Sequence, residues 1–204
     1  MMLTAFTAGL LLITISELGD KTFCIAMLLA MRHSRRLVFI GVVAALAGMT
    51  LLSVLLGQVV SFLPKEYIWY AEVSLFIGFG LKLLYDAMQM QTVPGCNELG
   101  DAQETIEQAG LASTHPNYAV VGQSFLLTFV AEWGDRTQFA TITLAASNHP
   151  VGVTIGAIVG HTICAAIAVL CGRWVAQRLS ERTLTFLGGI LFIIFGVVAA
   201  IQGK

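Results

Sequence analysis

Glu17-Leu18-Gly19-Asp20-Lys21-Thr22 decides how this chain is read, because it returns as Glu132-Trp133-Gly134-Asp135-Arg136-Thr137. Each copy lies in the middle of a long apolar segment. A charge held at the centre of a bilayer costs roughly 2.5–3.5 kcal/mol on insertion scales. Six unpaired charges would therefore cost on the order of 15–20 kcal/mol. Two such stretches read as two halves of one site in which the charges meet partners.

The flanking composition supports a membrane setting. Of 204 residues, 57% are hydrophobic and 11% are charged, whereas soluble domains are nearer a quarter charged. Mean hydropathy is +0.83. The length suits one compact bundle. A net charge of −1 gives no hint of a nucleic-acid partner. Cys24, Cys96, Cys164 and Cys171 form neither a Cys-x-x-Cys pair nor a zinc spacing. The first apolar segment carries no basic leader and holds Glu17, Asp20 and Lys21, so it is expected to be a mature helix rather than a cleaved signal peptide.

Outward from the motifs, six segments approach the ~20 apolar residues that a crossing needs. They run over residues 4–31, 37–63, 67–90, 118–147, 151–176 and 182–201. The expected fold is all-α, with six transmembrane helices. Residues 1–90 form the first three-helix repeat, 91–117 an acidic cytoplasmic linker, and 118–204 the second repeat. A short linker helix is expected around 101–109. Asn148-His149-Pro150 reads as a tight turn.

The halves repeat at a spacing of 115 residues, which pairs Glu17 with Glu132, Gly41 with Gly156 and Gly57 with Gly172. One further residue of offset aligns Leu75–Gly80 with Leu191–Gly196. Three helices is an odd number, so the second repeat should enter the membrane inverted. Gly19 and Gly134 each sit between two acids, and the first and fourth helices are expected to kink or break there. Discontinuous helices of this kind recur at ion sites in transporters. Gly152, Gly156 and Gly160 are expected to form a smooth packing face. Arg32, Arg35, Arg36, Arg173, Arg178 and Arg182 lie on one side, so that side is expected to be cytoplasmic, with both termini outside it.

Glu and Asp three residues apart share a helix face. Glu17, Asp20, Glu132 and Asp135 would thus give an oxygen-rich cage suited to a hard divalent cation. Thr22, Thr137 and Gln138 could complete the shell; His161 could touch the ion or carry protons, or equally be a satisfied polar histidine in a helix interface. Lys21 and Arg136 would balance charge. Four carboxylates, two basic groups and one divalent cation sum to neutrality. Metal and protons would then compete for the same oxygens, which is the physical core of an antiporter. Two buried salt bridges that merely hold the halves together would use one acid per base and leave two acids over. Thr50 and Ser53 read first as packing hydroxyls and second as lining the ion's path, Lys82 and Asp86 as an interfacial pair, and Tyr67, Trp69 and Tyr70 as an interfacial aromatic belt.

The doubled Glu-x-Gly-Asp-(Lys/Arg)-Thr motif resembles that of the membrane family once catalogued as uncharacterised family sixteen. Members of that family are cation/proton antiporters for Ca²⁺ and Mn²⁺, among them Golgi members linked to glycosylation. The resemblance spans essentially the whole chain and implies metal-binding roles for Glu17, Asp20, Glu132 and Asp135. The opening Leu3-Thr4-Ala5-Phe6-Thr7-Ala8-Gly9-Leu10 looks most like the photosynthetic bacterial branch, which is tied to manganese export. The resemblance implies an exporter of Mn²⁺ first and Ca²⁺ next, exchanging them for protons, in a bacterial plasma membrane or a thylakoid membrane. It implies no prosthetic cofactor. The implied partners are the divalent cation, protons and the lipid bilayer; a homo-oligomer is left open. Two other classes compete: an intramembrane hydrolase using paired carboxylates, and a non-transporting assembly factor.

Overall fold

The computed structural model describes residues 2–90, 98–108, 117–178 and 180–202. All regular elements in them are helical. They are α1 (Met2–Glu17), α2 (Lys21–Arg32), α3 (Arg35–Val60), α4 (Lys65–Gln89), α5 (Glu98–Gln108), α6 (Asn117–Ala131), α7 (Arg136–Ser147), α8 (Pro150–Arg178) and α9 (Glu181–Gln202). Cys96, Lys204 and the remainder of the expected linker lie outside the described residues, as do the side chains of Arg173 and Arg178.

Four helices are long and apolar enough to cross a bilayer: α3, α4, residues 150–171 of α8 and residues 182–202 of α9. Counting α1 and α2 together as one broken span makes five, and the two helices meet at 66°. Tyr118–Ala131 of α6 is apolar but shorter. Each expected motif helix is thus two helices. Gly19 and Gly134 sit at the breaks with φ of 82° and 81°. This left-handed region is open to glycine and costs most other residues roughly 1–2 kcal/mol. The Asn148-His149 link between α7 and α8 falls where a turn was expected. The linker helix begins three residues earlier than expected. Its Ala102 and Ile106, one turn apart, are buried in a cluster with Phe23, Cys24 and Val42.

Close approach of backbones holds the bundle together. A Cβ on Gly156 would collide with the carbonyl of Phe6 on α1, and one on Gly41 would lie 2.5 Å from the carbonyl of Val121 on α6. These two glycines are the 115-residue pair, and each seats the first helix of the opposite half. The α4–α9 contact is reciprocal in the same way: Gly80 receives Ile193 and Gly196 receives Ile77. Such contacts rest on van der Waals fit rather than on hydrophobic transfer, which is weak between helices already in lipid. Leu51, Leu55, Val59, Leu126, Val130 and Leu170 stand exposed around the outside, as lipid-facing positions would.

Two expectations about α4 change. Lys82 and Asp86 form no recorded ion pair among the described residues; Arg136–Asp20 is the one ion pair recorded there. Trp69 turns inward, and its indole N–H donates to the carbonyl of Ala199 at 2.9 Å, while Tyr67 and Tyr70 are exposed as a belt would require.

Candidate cation site at the paired helix breaks

The two breaks build the site. Each α1-type helix ends on a glutamate or one residue before it, and each α2-type helix begins just after an aspartate. Asp20 and Asp135 occupy the N-cap positions of α2 and α7, with extended backbone angles. This is the favoured cap residue type at the positive end of a helix. Asp135 uses the position fully: its Oδ2 accepts from the Thr137 backbone N–H at 3.2 Å and from the Thr137 hydroxyl at 3.0 Å. Asp20 makes no side-chain cap bond. Its Oδ1 instead accepts from the Arg136 guanidinium of the other motif at 3.4 Å. The two motifs are therefore tied to each other.

Glu17 and Glu132 are each only 2% exposed. One carboxylate oxygen from each, with one from Asp135, lies within 4.8 Å of the others. The Thr22 hydroxyl donates to Glu17 Oε2 at 3.4 Å. The other Glu17 oxygen and Oε1 of Glu132 have no hydrogen-bond partner, and both are buried. Buried carboxylate oxygens of this kind are costly unless something positive meets them. The oxygens are spaced so that one hard cation could touch several at once.

Of the expected acids, three thus converge and Asp20 stands at the rim, drawn toward Arg136. Lys21 makes no ion pair recorded among the described residues. Gln138 Oε1 accepts from the Gly134 backbone N–H at 2.7 Å, so it braces the broken turn. His161 is buried with no partner at Nδ1. It lies between two small voids, one lined by Glu132 and Thr137, the other by Glu17 and Thr22. Leu46, its 115-residue counterpart, also lines both voids.

The two voids differ in chemistry. Beside Glu132 stand Met49, Thr50, Ser53 and Thr141, whereas Phe23, Ala26, Cys164 and Ala165 surround Glu17. Thr50 and Ser53 donate their protons to the carbonyls of Leu46 and Met49, each at 2.8 Å. Both hydroxyls thus bond back to their own helix while lining the void beside Glu132. Sequence reading passed over Met49, Thr141 and Glu72. The available signal was polar groups recurring at helical spacing on one side of an apolar helix.

Two larger cavities reach the site from the end where α4 stops and α9 begins. One, of about 160 Å³, touches Gly19, Asp20, Arg136, Asp86, Leu184 and Thr185. The other, of about 270 Å³, touches Lys82, Asp86, Gly134, Asp135 and Arg136.

Comparison with known proteins bears on this arrangement directly. The family profile for the divalent cation/proton antiporter GDT1 matches residues 5–91 and 120–204, which takes in both motifs. The chain belongs to the GDT1 family. It is 60% identical over 200 residues to a GDT1-like protein of Synechocystis sp., covering 97% of each chain. It is 39% identical to the chloroplastic GDT1-like protein 2 of Oryza sativa subsp. japonica, with 95% of this chain aligned to 60% of that longer one. The chloroplastic PAM71-homolog protein of Arabidopsis thaliana is also 39% identical, with 94% of this chain aligned to 58% of it. No solved structure matches. This is a family of transporters and not of enzymes, so the hydrolase reading falls away. A divalent cation is cargo for such an antiporter and not a prosthetic group.

Proposed function

We propose that this antiporter exports a divalent cation from the cytoplasm in exchange for protons, with Mn²⁺ as the first cargo and Ca²⁺ the next. Glu17, Asp20, Glu132 and Asp135 form its shared site near the membrane midplane. The observation that carries the reading is the convergence of one carboxylate oxygen each from buried Glu17, buried Glu132 and half-buried Asp135, with one oxygen of each glutamate lacking a hydrogen-bond partner. Oxygen donors select hard cations over zinc or copper, which prefer imidazole and thiolate. The same oxygens must lose their protons before they can bind a metal, so loading metal releases protons and protonation releases metal. Thr22, Thr137, Gln138 and His161 stand where they can complete or orient the shell. Lys21 and Arg136 set the charge of the empty site.

Residues 1–90 and 118–204 act as two inverted repeats, with six crossings in all and the 91–117 linker in the cytoplasm. Support comes from the recurrence of equivalent contacts: Gly41 on α6 and Gly156 on α1, Ile77 against Gly196 and Ile193 against Gly80. The cyanobacterial and chloroplastic relatives favour a plasma or thylakoid membrane. In this conformation the cavities touching Asp20 and Asp135 open at the α4 C-terminal end. The basic residues Arg32, Arg35, Arg36 and Arg182 favour that side as the cytoplasm. Loading from inside follows.

The test is transport in proteoliposomes with an imposed pH gradient, comparing Mn²⁺ with Ca²⁺. The expected result is proton-coupled flux of Mn²⁺ at lower half-saturating concentration than Ca²⁺, abolished by Glu132→Gln. Full flux in Glu132→Gln would overturn the site assignment.

A further inference from the structure

α4 carries two carboxylates inside cavities, and sequence reading singled out only one of them. Asp86 lines both cavities that reach the central acids. Glu72 lies 14 residues earlier, about 21 Å along the helix and within about 40° of the same face. It is only 8% exposed, yet it lines a cavity of about 390 Å³ at the opposite end of the molecule. Lys65, Trp69, Ser147, Asn148 and Gln202 are among its neighbours there.

The order of residues along α4 and α7 relates this cavity to the central site. On α4, Glu72 lines the outlying cavity, Phe76 lies in the apolar core, and Lys82 lines the cavity that touches Asp135. On α7 the order is Ser147, then Leu144 and Ala140 in the same core, then Arg136 at the central cavity. Both helices thus run from one cavity through a buried apolar layer to the other. Phe76 is the centre of that layer, with ring centroids 5.7 Å from Phe192 and 5.8 Å from Phe195.

The chemistry of the outlying cavity favours cations. The Ser147 hydroxyl donates its single proton to the Thr143 carbonyl at 2.7 Å. It also stands within hydrogen-bonding reach of the Glu72 carboxylate, so the hydroxyl can orient that carboxylate or turn its oxygen toward an ion in the cavity. Asn148 and Gln202 can turn amide oxygens inward beside the Glu72 carboxylate. Lys65 at the mouth gives the empty carboxylate a counter-charge in the same cavity. Trp69 is held on the Ala199 carbonyl, which fixes one wall. A single carboxylate among neutral oxygens and water binds a hard divalent ion weakly. Weak binding suits a station on a path, where an ion must enter and also leave.

We propose that the Glu72 cavity is a second divalent-cation site, lying on the path between the central acids and the α4 N-terminal mouth, and sealed from them in this conformation by the Phe76–Phe192 layer. The proposal rests on the central-site reading. The repeat does not supply it twice, because the 116-residue counterpart of Glu72 is Gly188.

The test combines binding and sided transport. Mn²⁺ is titrated into detergent-purified protein and followed by its electron paramagnetic resonance signal. Wild type should show one tight and one weak class. Glu72→Gln should lose only the weak class, Glu132→Gln only the tight one, and Glu72→Asp should keep the weak class at reduced affinity. In oriented proteoliposomes, Glu72→Gln should raise the half-saturating Mn²⁺ concentration about tenfold at the α4 N-terminal face (~1.4 kcal/mol). The value at the other face should stay within about twofold of wild type. An equal change at both faces, or none at either, overturns the proposal, as does a weak class that survives Glu72→Gln. If Glu132→Gln leaves the tight class intact, it is the central-site reading that fails.

Discussion

Glu17 and Glu132 each hold one buried carboxylate oxygen without a hydrogen-bond partner, next to the aspartate that caps α7. That arrangement is unfavourable alone and becomes favourable with a cation, so the acids should behave as one unit. Glu17→Gln and Glu132→Gln should each lower metal-driven proton flux by at least about tenfold (~1.4 kcal/mol). The double variant should be little worse than either single one, because residues sharing one ligand give non-additive losses. A multiplicative loss in proteoliposome flux would mean two independent sites. The pH direction follows from the same oxygens. Lower pH protonates the ligands, so apparent Mn²⁺ affinity should fall as pH is lowered at the loading face. A titration across a pH series checks this, and its slope counts the protons displaced.

The breaks, more than the helices, are what place these residues. Both were legible in sequence, since glycine between two acids inside an apolar run has little other use than a turn that lipid would not tolerate. That Gly156 belongs to a close-packing face was legible too, from glycines at four-residue spacing, but not that α1 is the helix seated there. What sequence could not supply was the inequality of the two halves. Asp20 and Asp135 occupy matching positions, yet one reaches Arg136 and the other binds Thr137. That outcome depends on which side chain has a donor in range, and the exchange of Lys21 for Arg136 between the copies does not by itself say which acid the longer guanidinium will reach. Thr50 and Ser53 were equally opaque, because a hydroxyl in an apolar helix reads alike whether it faces a neighbour or a void. The two break glycines themselves offer a clean contrast. A Cβ on Gly19 would meet Leu184 Cδ1 at 2.6 Å, whereas one on Gly134 meets nothing within 4 Å. Gly134→Ala therefore isolates the backbone effect of a positive φ, expected at about 1–2 kcal/mol. Gly19→Ala adds a steric conflict and should be worse. Thermal unfolding in detergent ranks the two, and equal losses would mean that Leu184 moves aside freely.

At the scale of the molecule, the α4–α9 pair packs against α7 and α1, while the cavities lie between that pair and the helix breaks. One end of the bundle is shut by aromatic rings and the other is open to Asp20 and Asp135. This asymmetry is what one state of an alternating transporter needs, with a site reachable from a single side. Which side is the cytoplasm is settled by orientation, and the arginine distribution predicts it. Thr185 lines the cavity that touches Asp20, and Gln202 sits at the far end of the same helix beside Glu72. Cysteines placed singly at these two positions, with the four native cysteines replaced, report the two mouths. Thr185→Cys should react with a membrane-impermeant thiol reagent only from the cytoplasmic side, and Gln202→Cys only from the opposite side. Saturating Mn²⁺ should alter the rate at Thr185→Cys, because an ion held at the proposed site would occupy the cavity's inner end and bias the opening, while the rate in a Glu132→Gln background should ignore it. Labelling with reversed sidedness would invert the orientation and make the antiporter an importer. A Thr185→Cys rate indifferent to Mn²⁺ in otherwise active protein would mean that this cavity is not the loading path.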